Sequence, residues 1–579
     1  MRAIFWQFAP VGMLLTVALL AFTCLFTTLA PYDDEGYVMM TLRTFGQGHS
    51  LYAQTHTQYG PAFYWLTEPI HSVMGLPLTQ DGVRLKSLLY WCGIACLAAW
   101  MVHRLCGNRS ASILTGLWSG LHLEKLSLEP GHPQELALLL SLLAMAALAR
   151  SLGWGWLLAG ILAGCVTMIK VNCGLTLFLG LALTAAYPWT QHPKWGSAFR
   201  GLLIAIGVLF PGMVFWGSIQ HPNGWWMPFM SMAALVVLVL EGNGPSRNGT
   251  ELRNNGQLWA GCAIAVAAVL GLTWWDGTRL PQLVWGILGQ HRQFTSTFFH
   301  PVVPSLLAIV TSLGLATILV VRQRRYRMPW FNRTVAIGLP IGMGLLLLGT
   351  AIDAARPLVH GLEPRGLAPT LAVLGPWLGV GMALTPMALR DDRNWAMRRA
   401  LALATCLAPL IAFPTPGTQL SLGTLPGLMA GCVWLGDLWR KAWLTHQVGV
   451  VLKPSPSPLL VAAIVLVMAV SLSHGYRWKV GQGLDVAGSR LLRLEKSVAH
   501  PLTPANPTFW PRMLTSAEQQ GWLDSIDRTS RLCVVIPPES DRLAGDHARP
   551  VRRALYSHWI DTMQVDTWQV ATRQVGVHD

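Results

Sequence analysis

Three acids stand together in Tyr32-Asp33-Asp34-Glu35-Gly36-Tyr37, just after an apolar run that ends near Ala30. A carboxylate within hydrogen-bond reach of an acceptor hydroxyl can take its proton as a new bond forms. Asp34, with Glu35 and Asp33 beside it, is therefore the candidate general base. The same acids would also suit a solvated loop start or a helix N-terminus, where negative charge complements the helix dipole. The flanking sequence tilts the reading towards chemistry. Phe45-Gly46-Gln47-Gly48-His49-Ser50-Leu51-Tyr52 and Gln58-Tyr59-Gly60-Pro61-Ala62-Phe63-Tyr64 are rich in Gly, Tyr and amides. Such side chains hydrogen-bond and stack on sugars, and they are poor choices for a plain connector.

Further polar groups recur at the ends of later apolar segments. Glu129 and His132 stand in Ser127-Leu128-Glu129-Pro130-Gly131-His132-Pro133-Gln134-Glu135, which would otherwise read as a polar turn opening the next helix. Lys170 interrupts two apolar runs in Met168-Ile169-Lys170-Val171-Asn172-Cys173-Gly174. An ionisable group inside a membrane segment is a functional candidate by default, although a lysine at a boundary can also snorkel to the interface. A cation there could hold a phosphate and offset charge on a departing group. Gln419 ends Phe413-Pro414-Thr415-Pro416-Gly417-Thr418-Gln419, which also reads as a Pro/Gly turn. Arg279, Arg292, Arg356 and Arg365 are unranked phosphate partners. The five His-Pro dipeptides fall on both sides of the predicted membrane and cannot form one metal site. The ten Cys have no metal-ligand spacing and read as small buried hydrophobes.

The elements that must position these groups are membrane spans. The chain is 52% hydrophobic and 12% charged, where soluble domains run nearer a quarter charged. Apolar segments of span character fall near 8–30, 84–103, 110–122, 134–149, 153–169, 173–189, 199–218, 225–240, 257–275, 302–321, 334–350, 366–389, 400–413, 422–436 and 458–473. Several are short or adjacent, so about 13 to 15 crossings are expected. The net charge of +15 does not mark a nucleic-acid binder, because the Lys and Arg lie in short clusters between apolar segments. One alternate set of loops carries roughly twice the basic residues of the other, and the positive-inside rule makes that set cytoplasmic. The N-terminus is then inside, while the loop after the first span and the C-terminal tail are outside.

Four regions follow: a first span over 1–30, an extracytoplasmic loop over 31–83, a transmembrane bundle over 84–473 and an extracytoplasmic domain over 474–579. In the loop, Val38, Leu42 and Phe45 recur at helical spacing, as do Leu66, Ile70, Val73 and Met74. These predict two amphipathic helices lying on the membrane surface. In the tail, a capping-box start at Thr515-Ser516-Ala517-Glu518 and a strand-like run at Leu532-Cys533-Val534-Val535-Ile536 predict a small α/β domain on an otherwise all-α polytopic protein.

In this order, the motifs resemble those of the GT-C membrane glycosyltransferases, in particular the bacterial branch related to protein O-mannosyltransferases and aminoarabinose transferases. The resemblance rests on the Asp-Glu pair at Asp34-Glu35, the Gly48-to-Tyr52 stretch, Tyr59-Gly60-Pro61-Ala62-Phe63-Tyr64, Lys170-Val171-Asn172-Cys173-Gly174 and Pro414-Thr415-Pro416-Gly417-Thr418-Gln419. In the tail, Asp485-Val486-Ala487-Gly488-Ser489-Arg490-Leu491-Leu492 is similar to a segment that follows the last span in that branch. The resemblance implies an inverting transferase with a polyprenyl-phosphate-linked sugar donor. Its catalytic base would be Asp34, with Glu35 and Asp33 as competitors. Tyr59, Glu129, His132, Lys170 and Gln419 would bind substrate. It implies a multi-pass protein of the cell inner (plasma) membrane, with membrane lipids and a glycan, lipid or protein acceptor as partners and no nucleic acid. A divalent metal is a cofactor it allows and no motif demands. The competing reading is a transporter or flippase of a lipid-linked glycan. Such proteins place ionisable sites near mid-membrane within matching halves, and neither is evident here. A polymerase- or ligase-like enzyme would favour a large late outer loop, whereas the late outer loops are short.

Overall fold

The computed structural model describes residues 2–28, 34–55, 57–149, 153–192, 194–214, 224–240, 251–289, 302–324, 329–355, 367–384, 394–412, 417–440, 457–480, 531–536, 561–565 and 568–574. A helix stands at each of the fifteen apolar segments. The chain begins with α1 (Arg2–Thr27), α2 (Asp34–Gly46), α3 (Pro61–Ser72), α4 (Gln80–Cys106) and α5 (Arg109–Leu123). A 3-10 turn at Glu124–Leu128 leads to α6 (Pro133–Ala147), α7 (Gly155–Ile169) and α8 (Val171–Ala186). Then come α9 (Gly196–Val214), α10 (Trp226–Leu240), α11 (Glu251–Trp275) and the short α12 (Leu280–Val284), which continues as a π-helical turn at Trp285–Gly289. The last helices are α13 (Leu306–Arg324), α14 (Pro329–Ala355), α15 (Ala368–Ala383), α16 (Trp395–Leu407), α17 (Gly417–Arg440) and α18 (Ser457–Val480).

Among the described residues, six helices are long and apolar enough to cross a membrane: Phe8–Thr27, Gln80–Cys106, Val171–Gln191, Gly196–Val214, Arg253–Trp275 and Trp395–Ala412. With the shorter apolar helices between them they make a multi-pass membrane protein. Local chemistry sets several boundaries. The Thr79 side chain caps α4 by accepting from Gly82 N, and Gly107 ends that helix in the left-handed conformation, at φ 64°. Asn108 then caps α5 by accepting from Ala111 N.

Packing between helices uses small residues where backbones must approach. A Cβ on Gly160 would lie 2.2 Å from Leu258 O, and one on Gly261 would lie 2.2 Å from Leu157 O, so α7 and α11 are in backbone contact. Gly375 of α15 faces Gly427 of α17 in the same way. α1 packs against α4, α5 and α18. Trp91, Trp118 and Trp434 are fully buried, and the Trp118 indole donates to Thr350 Oγ1 at 2.9 Å. That bond ties α5 to α14.

Two expectations need correction. The apolar stripe of α2 does not rest on a membrane surface, since Val38, Leu42 and Phe45 are all buried against the protein. The second helix differs: α3 buries Ala62, Phe63, Tyr64 and Thr67 and leaves Leu66 exposed, as are Val73 and Met74 just beyond its end. In the tail, the described residues beyond α18 are three strands, β1 (Arg531–Ile536), β2 (Asp561–Val565) and β3 (Trp568–Gln574). They form an antiparallel sheet in the order β1-β3-β2, with Leu532 opposite Arg573 and Met563 opposite Val570. No helix accompanies this sheet among the described residues, so an α/β domain is not established. The helix start at Thr515 and the Asp485–Leu492 segment lie outside the described residues.

Candidate functional site

The first acidic group is anchored by a residue that sequence reasoning missed. Asp34 is the first residue of α2. The Glu35 carboxylate, next to it, is held by Arg84 of α4 through two parallel bonds, Nε to Oε1 and Nη2 to Oε2, both 2.8 Å. The third arm, Nη1, donates to Leu25 O at the end of α1 at 2.9 Å. Both side chains are buried. The bidentate fit is the strong form of such a pair, and it fixes the first turn of α2 against α1 and α4. Glu35 thus has both oxygens engaged. Asp33 lies outside the described residues, as do Arg292, Arg356 and Arg365. Arg279 caps the short α12.

The remaining loop folds back onto the bundle. Gln58 N donates to the Tyr37 phenol at 3.0 Å, and Gln58 Nε2 donates to the Tyr59 phenol at 3.2 Å. Gly60 N donates to Ile169 O at 2.9 Å. A Cβ on Gly60 would lie 2.0 Å from Met168 O, so only glycine lets the loop dock here. The docking point is the break between α7 and α8. Lys170 is that break: extended at φ −151° and ψ 107°, it closes α7 and opens α8.

Tyr59 reaches the segment between α5 and α6. Its phenol lies 2.7 Å from His132 Nε2, and the two rings meet edge-on at 4.9 Å. His132 caps α6, with Nδ1 accepting from Gln134 N at 3.3 Å. That acceptor role assigns the single N–H proton of the neutral ring to Nε2, which then donates to the Tyr59 oxygen. Burial, and then the Lys170 charge, push the His132 imidazole well below its ordinary pKa, consistent with a neutral ring.

Glu129 is also buried. Thr418 Oγ1 donates to Glu129 Oε2 at 2.7 Å and sits 3.2 Å from Gln134 Oε1, while Gln134 Nε2 donates to Glu129 Oε2 at 3.3 Å. Beside them, Asn172 Nδ2 donates to Ile411 O at 2.9 Å and to Gln419 Oε1 at 3.4 Å. Tyr59, Glu129, His132, Lys170 and Gln419 therefore share one neighbourhood, joined by Gln134, Asn172 and Thr418. The sequence carried a signal for Asn172, in the Lys-x-Asn-x-Gly pattern, but none for Gln134. A small apolar cavity of about 50 Å³ lies between α6, α8, α16 and α17, lined by Gln134, Leu138, Cys173, Thr176, Ile411 and Pro426 among others.

Among the described residues, no three His, Cys, Asp or Glu side chains gather to hold a metal ion. His132 has both ring nitrogens in protein hydrogen bonds, so it does not present a metal donor as it stands.

No family model and no curated protein matches the chain. Among solved structures it is similar to the archaeal oligosaccharyltransferase AglB from Archaeoglobus fulgidus in complex with an inhibitory peptide and a dolichol-phosphate, at 12% identity and a TM-score of 0.34 over 90% of this chain and 60% of that one. It is also similar to the Archaeoglobus fulgidus oligosaccharyltransferase in the apo form, at 11% identity and a TM-score of 0.35 over 82% of this chain and 56% of that one. The chain thus spans less than two thirds of either structure. Neither is a protein O-mannosyltransferase or an aminoarabinose transferase.

Proposed function

We propose that this chain is an inverting membrane glycosyltransferase of the GT-C kind, related to the bacterial O-mannosyl- and aminoarabinosyltransferases. It moves a sugar from a polyprenyl-phosphate donor to an acceptor at the extracytoplasmic face of the inner membrane. The observation that carries the reading is the polar cluster of Tyr59, Glu129, His132, Lys170 and Gln419, which Gln134 joins to a small apolar cavity inside a membrane bundle. A charged, hydroxylated head suits the polar cluster in chemistry, and a hydrocarbon tail suits the apolar lining. The positive-inside assignment supports the outer face.

In this reading the acceptor oxygen attacks the anomeric carbon from the side opposite the phosphate. Asp34 takes the acceptor's proton as that bond forms. The bond from the anomeric carbon to the phosphate oxygen breaks, and its electron pair leaves on polyprenyl phosphate. One displacement inverts the centre. Lys170 offsets charge on the phosphate. Neutral His132 and Tyr59, with Glu129 and Gln419, orient hydroxyls of sugar and acceptor. Glu35 serves through Arg84 by fixing the turn that carries Asp34, with Asp33 the alternative base.

The test uses the full chain in nanodiscs with a panel of polyprenyl-phosphate-linked sugars, following release of polyprenyl phosphate. Asp34→Asn should insert normally and bind donor, yet lose about 10²–10⁴-fold in turnover. Lys170→Ala should weaken donor binding. Full turnover by Asp34→Asn would move the base elsewhere. Donor that crosses the bilayer without being consumed would replace the enzyme with a transporter. Mass spectrometry of cell-envelope glycoconjugates with and without the gene would name sugar and acceptor together.

A further inference from the structure

Tyr52 is the sole non-glycine residue with positive φ, 60°, among the described residues. A bulky side chain in that conformation costs about 1–2 kcal/mol, so something must hold it. Locally, Tyr52 N donates to Thr55 O at 2.8 Å, and Gln54 Oε1 accepts from Ser50 N at 3.0 Å. The other holds come from far along the chain. Thr278 Oγ1 donates to Leu51 O at 2.7 Å. The Tyr52 ring lies against Gly286, where a Cβ would stand 2.1 Å from Cδ1. The phenol donates to Tyr59 O at 2.7 Å. Burial, then the neighbouring Tyr64 and Tyr37 phenols, raise the Tyr52 pKa, which keeps the hydroxyl a donor.

The segment that grips Tyr52 begins where the span Arg253–Trp275 ends. It buries Leu283 and Gly286 towards the protein. On its other side Leu280, Val284, Trp285 and Leu288 are exposed, next to exposed Trp274 and Trp275. Leu280, Val284 and Leu288 recur at helical spacing, so the exposure forms one face. Continuity with the end of a membrane span sets the depth of that face at the boundary of headgroups and acyl chains, where indoles settle.

We propose that Leu280–Gly289 lies in the outer-leaflet interface, and that Tyr52 is a positioning residue that carries its seating to the candidate site. The ring is gripped by Gly286, the phenol fixes the Tyr59 backbone, and the Tyr59 side chain meets His132. The lipid surface is thereby coupled to the sugar-facing side of the site. The meaning of that site rests on the function proposed above. The coupling does not, and its test uses no sugar transfer, so the two ideas fail separately.

The experiment measures hydrogen exchange in peptides covering residues 50–60 of the full chain in nanodiscs. Tyr52→Phe keeps the ring and removes the bond to Tyr59 O, so exchange there should rise about threefold to tenfold. Trp285→Glu with Leu288→Glu should unseat the segment and raise exchange in the same peptides. Combined with Tyr52→Phe, the two Glu substitutions should add little. Peptides within α6 should not change in any variant. Brominated lipids should quench wild type more than Trp285→Phe, which reads lipid contact without disturbing the fold. Equal quenching in the two proteins would overturn the membrane seating. Exchange at 50–60 unmoved by the Glu substitutions, or fully additive with Tyr52→Phe, would overturn the coupling.

Discussion

Replacing Arg84 with Met tests whether the pair it makes with Glu35 is a structural rivet or part of the reacting machinery. The substitution removes two charge-assisted bonds to Glu35 and one to Leu25 O. It leaves a carboxylate that is 8% exposed with no opposite charge. Breaking one side of a buried ion pair costs about 3–5 kcal/mol, most of it the penalty of the orphaned charge. Glu35→Leu should cost less, because the guanidinium keeps the Leu25 carbonyl and the Asp81 charge. The double variant Glu35→Leu/Arg84→Met removes both charges and refills the space with apolar side chains. It should lie within about 1–2 kcal/mol of wild type, the remainder being the unmet Leu25 carbonyl. The cycle should therefore fall several kcal/mol short of additivity. Denaturant titration in lipid–detergent micelles, followed by Trp fluorescence, reads all four proteins. Single substitutions costing less than about 1 kcal/mol, or an additive cycle, would refute the rivet. The double variant also separates the carboxylates. It should retain measurable transfer if Asp34 is the base, and none if Glu35 is.

Two other outcomes follow from the loop and from His132. Gly60→Ala should drive a methyl into Met168 O and cost about 1–3 kcal/mol by the same titration, while Gly48→Ala tests only the φ 87° turn, since nothing lies within 4 Å of its added carbon. For His132, the ring is neutral in both folded and unfolded chains above its ordinary pKa of about 6.5, so pH has no leverage there. As pH falls below that value the unfolded chain takes up a proton and the folded one does not. Stability should then drop by up to about 1.4 kcal/mol per pH unit, a slope that His132→Gln should reduce. Identical slopes in the two proteins would show that His132 is not held neutral.

The helices were legible because hydropathy alone demands them: a helix begins within a few residues of every apolar segment. Lys170 was legible for the same reason, since a charge between two apolar runs is costly unless it marks a break or a site. The acids were legible as a group but not individually. Nothing in Asp33-Asp34-Glu35 says which carboxylate will meet a guanidinium 49 residues away, and Arg84 reads locally as the start of a span. Gln134 and Thr418 were passed over because an amide and a hydroxyl acquire meaning only when the fold brings Glu129 between them. The surface-helix reading of α2 failed because a 3.6-residue period reports that a face is covered, not whether lipid or protein covers it.

The contacts that assemble this neighbourhood join parts of the chain made at very different times. Tyr59 waits 73 residues for His132, and Glu129 waits 289 residues for Thr418. At roughly 5–20 residues per second, the second interval lasts about 15 s to a minute. For most of that time the loop can already dock on His132 and Ile169, but Glu129 lacks its bond from Thr418. A ribosome that stalls between the loop and α17 leaves a product with the loop but without Thr418 and Gln419. The neighbourhood is therefore complete only once α17 has been made. A product stalled between α6 and α17 thus keeps the bond from Gln134 to Glu129 but lacks the threonine that completes it.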